Sequence, residues 1–260
     1  MKVMLRVPTR GHPHVASAAA LSWLQKNTDW DADWHQNKFC VALARNEIVA
    51  EARKKQPDFL IMFDDDVAPP HSVLELPKRN KPVIVGPVLT WKFGRFFFTC
   101  HELNEDEQFL SIDKFLPEPM EIYAAGAALM CIRRDVFNLE GPLFELRLNP
   151  DGTLMPFGGE DIYFCCKMQE RGVPIYADSA CMAEHLTEVE SLKTVNEANR
   201  YASSDSYSRM SSCFVVDTRE LPFDLPKDAY LRRRRERLGK INGVTQAVQG
   251  RPLQIGRTHV

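Results

Sequence analysis

The sequence lacks the run of about 18 apolar residues that a membrane-spanning helix needs. It also lacks internal repeats, low-complexity segments and any CxxC pair. Its seven cysteines are an odd number, and the chain of 260 residues is far larger than a scaffold held together by disulfides. We therefore expect no transmembrane segment and no disulfide framework. The free cysteines predict a reducing, cytoplasmic location.

The composition predicts one folded body with an appendage. Hydrophobic residues make up 44% of the chain, and the 13 glycines and 17 prolines are close to average usage, which argues against disorder. The net charge of −2 hides an asymmetry, because residues 227–260 carry +7 and the preceding 226 residues carry −9. An acidic body is therefore followed by a basic C-terminal segment.

Apolar strand patterns alternate with helical patterns over the first 190 residues. The predicted strands include 3–7, 59–63, 83–89, 175–177 and 180–183, and the predicted helices are about 14–25, 40–55 and 160–171. Residues 28–38 are a polar stretch that contains tryptophan. This alternation predicts an α/β fold with a mostly parallel central sheet flanked by helices. We expect residues 1–190 to form the main domain and residues 191–260 a helical, then basic, extension.

Three consecutive carboxylates follow the buried strand 59–63. Asp64, Asp65 and Asp66 come at its carboxyl end, which is where open α/β sheets bind ligands. Neighbouring carboxylates repel one another unless a cation lies between them, and hard cations such as Mg²⁺ or Mn²⁺ prefer oxygen ligands. The alternative is an acidic loop or a helix cap ahead of Val67.

A second acidic pair begins a predicted helix. Glu160 and Asp161 follow Gly158 and Gly159, and glycines let a ligand approach the backbone closely. A carboxylate held beside a substrate hydroxyl can act as a general base. The alternative is that both residues only complement the helix dipole.

Two basic residues are further candidates. His185 follows a short strand, and with a carboxylate cluster elsewhere in the sequence it is a candidate third metal ligand. Arg45 lies in the helix before the acidic strand, from which its guanidinium could bind a phosphate. A structural histidine and a solvated helix face are the alternatives.

The order of these motifs is informative. They are Pro8-Thr9-Arg10, Ala44-Arg45-Asn46, Phe63-Asp64-Asp65-Asp66-Val67, Ala125-Gly126-Ala127-Ala128, Arg133-Arg134-Asp135-Val136-Phe137, Phe157-Gly158-Gly159-Glu160-Asp161 and His185. In this order and spacing, the motifs resemble those of GT-A-fold glycosyltransferases, especially the members like family 2. The resemblance covers roughly residues 1–190 and implies a GT-A, Rossmann-like fold.

The resemblance also implies a function. It implies transfer of a sugar from a nucleoside-diphosphate sugar, more often UDP- than GDP-linked, with Mn²⁺ or Mg²⁺ on the diphosphate. Asp64 and Asp66 would be the outer residues of an Asp-X-Asp motif, although Asp65 could take the place of either neighbour. The implied metal ligands are Asp64, Asp66 and His185. Asp161, with Glu160 as its rival, would be the base of an inverting reaction. The implied nucleotide-sugar contacts are Pro8, Thr9, Arg10, Arg45, Asp64, Asp65, Gly126 and Gly159.

Two other classes of function stay open on the sequence. One is a metal-dependent nucleotidyltransferase or nuclease that uses the aspartate triplet. The other is a module that binds a nucleotide or glycan without turnover. The acceptor is unassigned: the basic segment 227–260 could contact the phosphates of DNA, and glycan, lipid or protein acceptors are alternatives.

Overall fold

The computed structural model describes residues 1–37, 39–92, 95–112, 114–155, 157–186, 215–217 and 223–249. In these ranges the strands are β1 (Val3–Thr9), β2 (Asp31–Gln36), β3 (Phe59–Phe63), β4 (Val67–Ala68), β5 (Val83–Val85), β6 (Val88–Lys92), β7 (Arg95–Phe98), β8 (Cys100–Leu103), β9 (Gln108–Ser111), β10 (Met120–Ile122), β11 (Ala124–Ala125), β12 (Leu129–Arg133), β13 (Ile175–Ala177), β14 (Ala183–His185) and β15 (Val215–Asp217). The helices are α1 (Val15–Asn27), α2 (Val41–Lys55), α3 (Arg134–Phe137), α4 (Glu160–Glu170) and α5 (Asp228–Gln249). Short 3₁₀ turns cover His71–Glu75, Pro77–Arg79 and Ser179–Cys181.

The central sheet has seven strands in the order β10-β13-β5-β12-β3-β1-β2. The pairs β1–β2, β1–β3 and β5–β13 are parallel, whereas β12 is antiparallel to both β3 and β5. Since β10 is antiparallel to β13, only β10 and β12 run against the other strands. The predicted α/β fold with a mostly parallel central sheet flanked by helices is confirmed.

Helices cover both faces of this sheet. Leu60 and Met62 of β3 pack with Ile48 of α2 in one hydrophobic cluster. Ile61 of β3 packs with Leu21 of α1 in the other. Because neighbouring residues of a strand point to opposite faces, a continuous apolar strand such as β3 fits only between two layers of helices, as in parallel sheets generally.

Three local predictions differ from the structure. The polar stretch 28–38 contains β2, an edge strand that pairs with β1, and none of its residues is buried. Its apolar side consists of Ala32 and Trp34 alone, which pack partly against the core. The predicted strand 83–89 is two strands in different sheets, β5 and β6, which separate at Gly86. A Cβ at Gly86 would lie 2.2 Å from the carbonyl oxygen of Cys181, so no larger residue fits there. The predicted strand 180–183 is a 3₁₀ turn followed by β14.

Two smaller sheets flank the central one, with strand orders β11-β8-β9-β15 and β4-β14-β6-β7. In the second, β14 is antiparallel to β4 and places His185 opposite Val67. Val67 directly follows the aspartate triplet. This pairing therefore brings the histidine beside the triplet across more than a hundred residues of sequence.

The basic helix α5 packs against the acidic body. Tyr230 is fully buried, with its ring edge-on to Tyr123 at a centroid distance of 5.2 Å. The arginines of α5 pair with acidic side chains of the body: Arg233 with Glu121 at 2.5 Å, Arg234 and Arg237 with Glu102 at 3.5 and 3.3 Å, and Arg235 with Glu105 at 2.6 Å. The predicted helical extension is thus present over 228–249. The predicted boundary near 190 lies outside the described residues, and so does the basic end of the chain after 249.

Among the described residues, no helix has both the length and the apolar character that crossing a bilayer requires.

Candidate active site

A cleft of about 490 Å³ opens where β1 and β3 end, a size typical of small-molecule sites. It is lined by Pro8, Thr9, Arg10, His12, Asn37, Cys40, Val41, Ala44, Arg45, Asp64, Asp65, Asp66 and Glu160. The strands β3, β1 and β2 are parallel neighbours, so their carboxyl ends meet at one edge of the sheet. Eight of the residues predicted from the sequence therefore share one cleft.

Arg45 is the buried centre of this cleft. It lies in the second turn of α2, whose N-cap is Cys40, and its side chain is only 3% exposed. Its Nη2 donates to Asp64 Oδ1 at 2.6 Å, and its Nη1 donates to Glu160 Oε1. Burial alone would lower the pKa of Arg45, but these carboxylates raise it. The contact with a phosphate stays a prediction, since both terminal nitrogens are engaged by carboxylates.

The triplet is held by backbone bonds that turn its side chains in different directions. Asp64 N donates to Ala128 O at 3.0 Å, His14 N donates to Asp65 O at 2.8 Å, and Leu186 N donates to Asp66 O at 2.6 Å. The carboxylate of Asp64 faces Arg45, whereas that of Asp66 lies 3.2 Å from Nε2 of His185.

Asp66 and His185 form a two-residue donor set. Burial raises the pKa of Asp66, His185 opposes that effect, and the carboxylates of Asp64 and Asp65 add to it. Within the described ranges no group of three or more His, Cys, Asp or Glu side chains is arranged to hold a metal ion. Of the three predicted ligands, the structure brings Asp66 and His185 together and turns Asp64 toward Arg45.

The acidic pair begins α4 as predicted, with Gly159 as N-cap. Glu160 is engaged by Arg45. Asp161 Oδ1 accepts a hydrogen bond from Ile162 N at 2.7 Å, and Asp161 has no ion-pair partner among the described residues. Burial raises the pKa of Asp161 to about 6, with a further rise from Glu160 and an opposing effect of Arg45. Asp161 adjoins Glu160, which lines the cleft, but is not itself among the lining residues. Its raised pKa brings its titration toward neutral pH.

The two glycines before this pair are needed because a side chain at either position would collide with other atoms of the protein. A Cβ at Gly158 would lie 2.5 Å from the carbonyl oxygen of Arg147, and a Cβ at Gly159 would lie 2.6 Å from Asp161 Oδ1. The first contact is with backbone and cannot yield. A side chain at position 159 would displace the carboxylate of Asp161, so this glycine places Asp161.

Gly126, a predicted nucleotide-sugar contact, is not among the residues that line the cleft. Its N–H donates to Thr99 O at 2.7 Å, and a Cβ there would lie 3.1 Å from the Thr99 side chain. Gly159 also lies behind the lining. The role of Gly126 in nucleotide binding stays a prediction, and close packing against Thr99 explains the glycine here.

Sequence reasoning missed several lining residues, of which His12, Asn37 and Cys40 are the polar ones. Asn37 directly follows β2, and its side chain donates to Glu47 at 2.8 Å and accepts from Phe39 N at 2.8 Å. Recognising β2 as a strand would have placed Asn37 at a carboxyl end beside Thr9. His12 lies two residues after Arg10 in the same loop. This position beside a predicted site residue was the signal from which His12 could have been predicted.

Comparisons with known proteins show the fold and leave the activity open. No family model matches this chain, and no curated protein matches it. The crystal structure of A197 from STIV is similar, with a TM-score of 0.51 and 18% identity over 72% of this chain and 87% of that chain. A crystal structure of GalNAc-T7 with UDP, GalNAc and Mn²⁺ has a TM-score of 0.49 and 12% identity over 74% of this chain and 45% of that one. At such identities the similarity to A197 establishes a shared fold.

Proposed function

We propose that this chain is a metal-dependent glycosyltransferase of the GT-A type, resembling family 2, which moves a sugar from a nucleoside-diphosphate sugar to an acceptor hydroxyl. The observation that carries the proposal is the gathering of the β1 loop, the α2 arginine, the aspartate triplet and the start of α4 around one cleft. These are the motifs on which the resemblance rests. They are far apart in the sequence, and their convergence is what a shared active site requires.

The donor set of Asp66 and His185 fits Mn²⁺ or Mg²⁺ in a site that the substrate completes. The carboxylate of Asp66 suits either ion, and substrate phosphates and water would supply further oxygen ligands. The imidazole of His185 favours Mn²⁺ over Mg²⁺, which is the harder of the two ions. Asp65, adjacent in the chain, is the third candidate ligand. When bound, the cation would stabilise the negative charge that develops on the departing nucleoside diphosphate.

Asp161 is proposed as the base of an inverting reaction. Arg45 holds Glu160 in an ion pair, while Asp161 has none. A pKa of about 6 for Asp161 leaves it ionised at neutral pH and basic enough to take the acceptor proton. Pro8, Thr9 and Arg10 form the cleft wall that would border the nucleotide, which we expect to be UDP rather than GDP.

The test is release of nucleoside diphosphate from a panel of UDP- and GDP-sugars, with Mn²⁺, with Mg²⁺ or with EDTA. We expect slow hydrolysis that needs the cation and falls about 100-fold or more in Asp66→Asn, because the ligand acts on transition-state charge. Glu75→Gln is the matched control: Glu75 is an exposed carboxylate paired with Lys78 outside the cleft. Hydrolysis that is indifferent to EDTA and to Asp66→Asn would contradict the proposal, and cleavage of phosphodiesters would favour a nuclease.

One observation favours a second candidate, a binding module without turnover. The described residues offer a cation two side chains close together rather than three, and Asp64 is occupied by Arg45. Such a module would bind a nucleoside diphosphate, measured by calorimetry, and release no product from any donor. We do not extend the proposal to a DNA acceptor, because Arg233, Arg235 and Arg237 of α5 are already paired with acidic side chains of the body.

A further inference from the structure

The carboxylates of the cleft outnumber its cations. Four carboxylates and two arginines line it, and Asp161 adds a fifth carboxylate beside Glu160. Of the two arginines, Arg10 is exposed and Arg45 is buried. The choice of carboxylates that Arg45 binds therefore decides which of the others can bind a cation or accept a proton.

Arg45 joins two elements that are distant in sequence. Asp64 follows β3 and Glu160 begins α4, and each gives one oxygen to a different Nη atom of the same guanidinium. The Phe144 ring lies 5.9 Å from the guanidinium carbon, and Nε is buried without a hydrogen-bond partner. The planar fork of an arginine can hold two carboxylates at fixed positions, whereas a lysine is a single point charge.

Asp161 sits next to this ion-paired unit without being part of it. The charged groups around Asp161 are Glu160 and Asp64, which repel its negative charge, and Arg45, which attracts it; the Cys165 thiol is also near. By binding Glu160, Arg45 fixes the position of the repelling charge, and its own positive charge opposes that repulsion. Asp66 lies on the other side of the triplet, beside His185.

We propose that Arg45 is a positioning residue that divides the cleft carboxylates into two sets: it binds Asp64 and Glu160, and it thereby leaves Asp66 free for a cation and Asp161 free for the acceptor hydroxyl. This inference rests on the proposed function for the roles of Asp66 and Asp161. The division itself is a property of the resting protein and can be measured without a substrate.

The test uses two substitutions with opposite expected effects on Asp161. Glu160→Gln removes a repelling charge and lowers the pKa of Asp161, whereas Arg45→Met removes the attracting charge and raises it. Carbon-detected NMR titration of the full chain follows the Asp161 carboxyl, assigned by its loss in Asp161→Asn. We expect shifts of about 0.5–1 pH unit, downward in Glu160→Gln and upward in Arg45→Met. If donor hydrolysis is found, the acidic limb of its pH profile moves by the same amounts in the same directions.

Arg6→Met is the matched control. Arg6 is also a buried arginine that bridges two carboxylates, Asp31 and Glu51, but it lies outside the cleft. Its loss perturbs the fold without moving the Asp161 titration. Should Arg45→Met fail to fold, Glu160→Gln and Arg45→Lys carry the test, the lysine variant being expected to shift the pKa of Asp161 because it cannot hold both carboxylates.

The outcomes separate the two proposals. Opposite shifts in a protein that turns over no donor support the division of the carboxylates and count against the glycosyltransferase. Donor turnover with an Asp161 titration that stays in place, or moves in the same direction in Glu160→Gln and Arg45→Met, overturns the role of Arg45 alone.

Discussion

Two buried arginines each bridge a pair of carboxylates, and they differ in the balance of charge around them. Arg6 of β1 binds Asp31 and Glu51, and Lys55 binds the same two carboxylates, each at 2.7 Å. Two positive charges thus meet two negative ones, and Nε, Nη1 and Nη2 of Arg6 all donate hydrogen bonds. This cluster ties β1 to β2 and α2, and its charges are fully paired.

The cluster of Arg45 has the same local design with the opposite balance. Carboxylates are in excess, Nε has no partner, and Asp161 beside it has its pKa raised to about 6. By contrast, hydrogen bonds from Arg6 lower the pKa of Glu51 to about 2. A cluster with equal numbers of positive and negative charges stabilises the fold. A cluster with more carboxylates than cations keeps negative charge that a bound cation or a proton can neutralise. The excess of carboxylates, more than the arginine itself, thus distinguishes the candidate site from the Arg6 cluster.

Removing each arginine gives the largest difference between the two clusters. We expect Arg45→Met to lower the free energy of unfolding by about 3–5 kcal/mol, because it leaves two partly buried carboxylates without a counter-charge. Arg6→Met should cost about 2 kcal/mol, since Lys55 still neutralises both of its partners. Urea unfolding at pH 7 measures both values. A larger loss in Arg6→Met would show that charge balance does not distinguish the clusters.

The pH dependence of the stability that Glu51 contributes tests the ion pairing in the Arg6 cluster. A carboxylate whose pKa is lowered on folding adds stability above its unfolded pKa, and that stability is lost as the pH falls through the folded value. Because Glu51 is partly exposed, Glu51→Gln should cost about 2 kcal/mol at pH 7, less than the full shift implies. The cost should disappear as the pH falls from 4.5 to 2. Urea midpoints across this pH range are the measurement, and a constant cost would contradict the pairing with Arg6.

The contribution of Asp161 to stability should depend on pH with the opposite sign to that of Glu51. Its pKa is raised on folding, so its ionised form opposes folding at pH values above about 6. We expect Asp161→Asn to add on the order of 1 kcal/mol of stability at pH 7–8 and nothing near pH 3, where both states are protonated. Thermal unfolding at the two pH values measures the gain. A destabilised variant at pH 8 would argue against an unpaired, partly buried charge.

The smallest effect is expected for an arginine at the surface. Arg235 of α5 is 65% exposed and pairs with Glu105, which is 45% exposed. Arg235→Met should change the free energy of unfolding far less than Arg45→Met or Arg6→Met does, because solvent screens exposed ion pairs. The same urea titration used for the buried arginines measures it. A cost as large as that of Arg45→Met would mean that burial does not set the energetic scale of these pairs.

Much of the fold could be predicted because apolar periodicity reports burial directly. Strand β3 is apolar throughout and was placed correctly, as was α4 between its glycines and Gly172. Strand β2 was missed because its apolar side is only two residues long, Ala32 and Trp34, among polar neighbours. The break between β5 and β6 was missed because it depends on a contact of Gly86 with the backbone of Cys181, about a hundred residues away.

Most of the residues that line the candidate site could be predicted from the sequence, whereas the hydrogen bonds and ion pairs between them could not. Eight of the predicted residues line the cleft, since the carboxyl ends of neighbouring parallel strands meet at one edge. The partner of each side chain was not predictable. The structure pairs Arg45 with Asp64 and packs Gly126 against Thr99, and the predicted phosphate and nucleotide-sugar contacts of these residues stay predictions.

The sequence by itself determined the α/β class, the places where carboxylates follow buried strands, and the acidic body with its basic end. Only the tertiary structure decided that Arg45 binds Asp64 and Glu160, that His185 meets Asp66 across β4 and β14, and that α5 pairs its arginines with the body. The physical reason is the distance along the chain over which each effect acts. Periodicity and turn signals act over a few residues, whereas the state of a charge depends on its nearest neighbours in space, here 19 to 135 residues away along the chain.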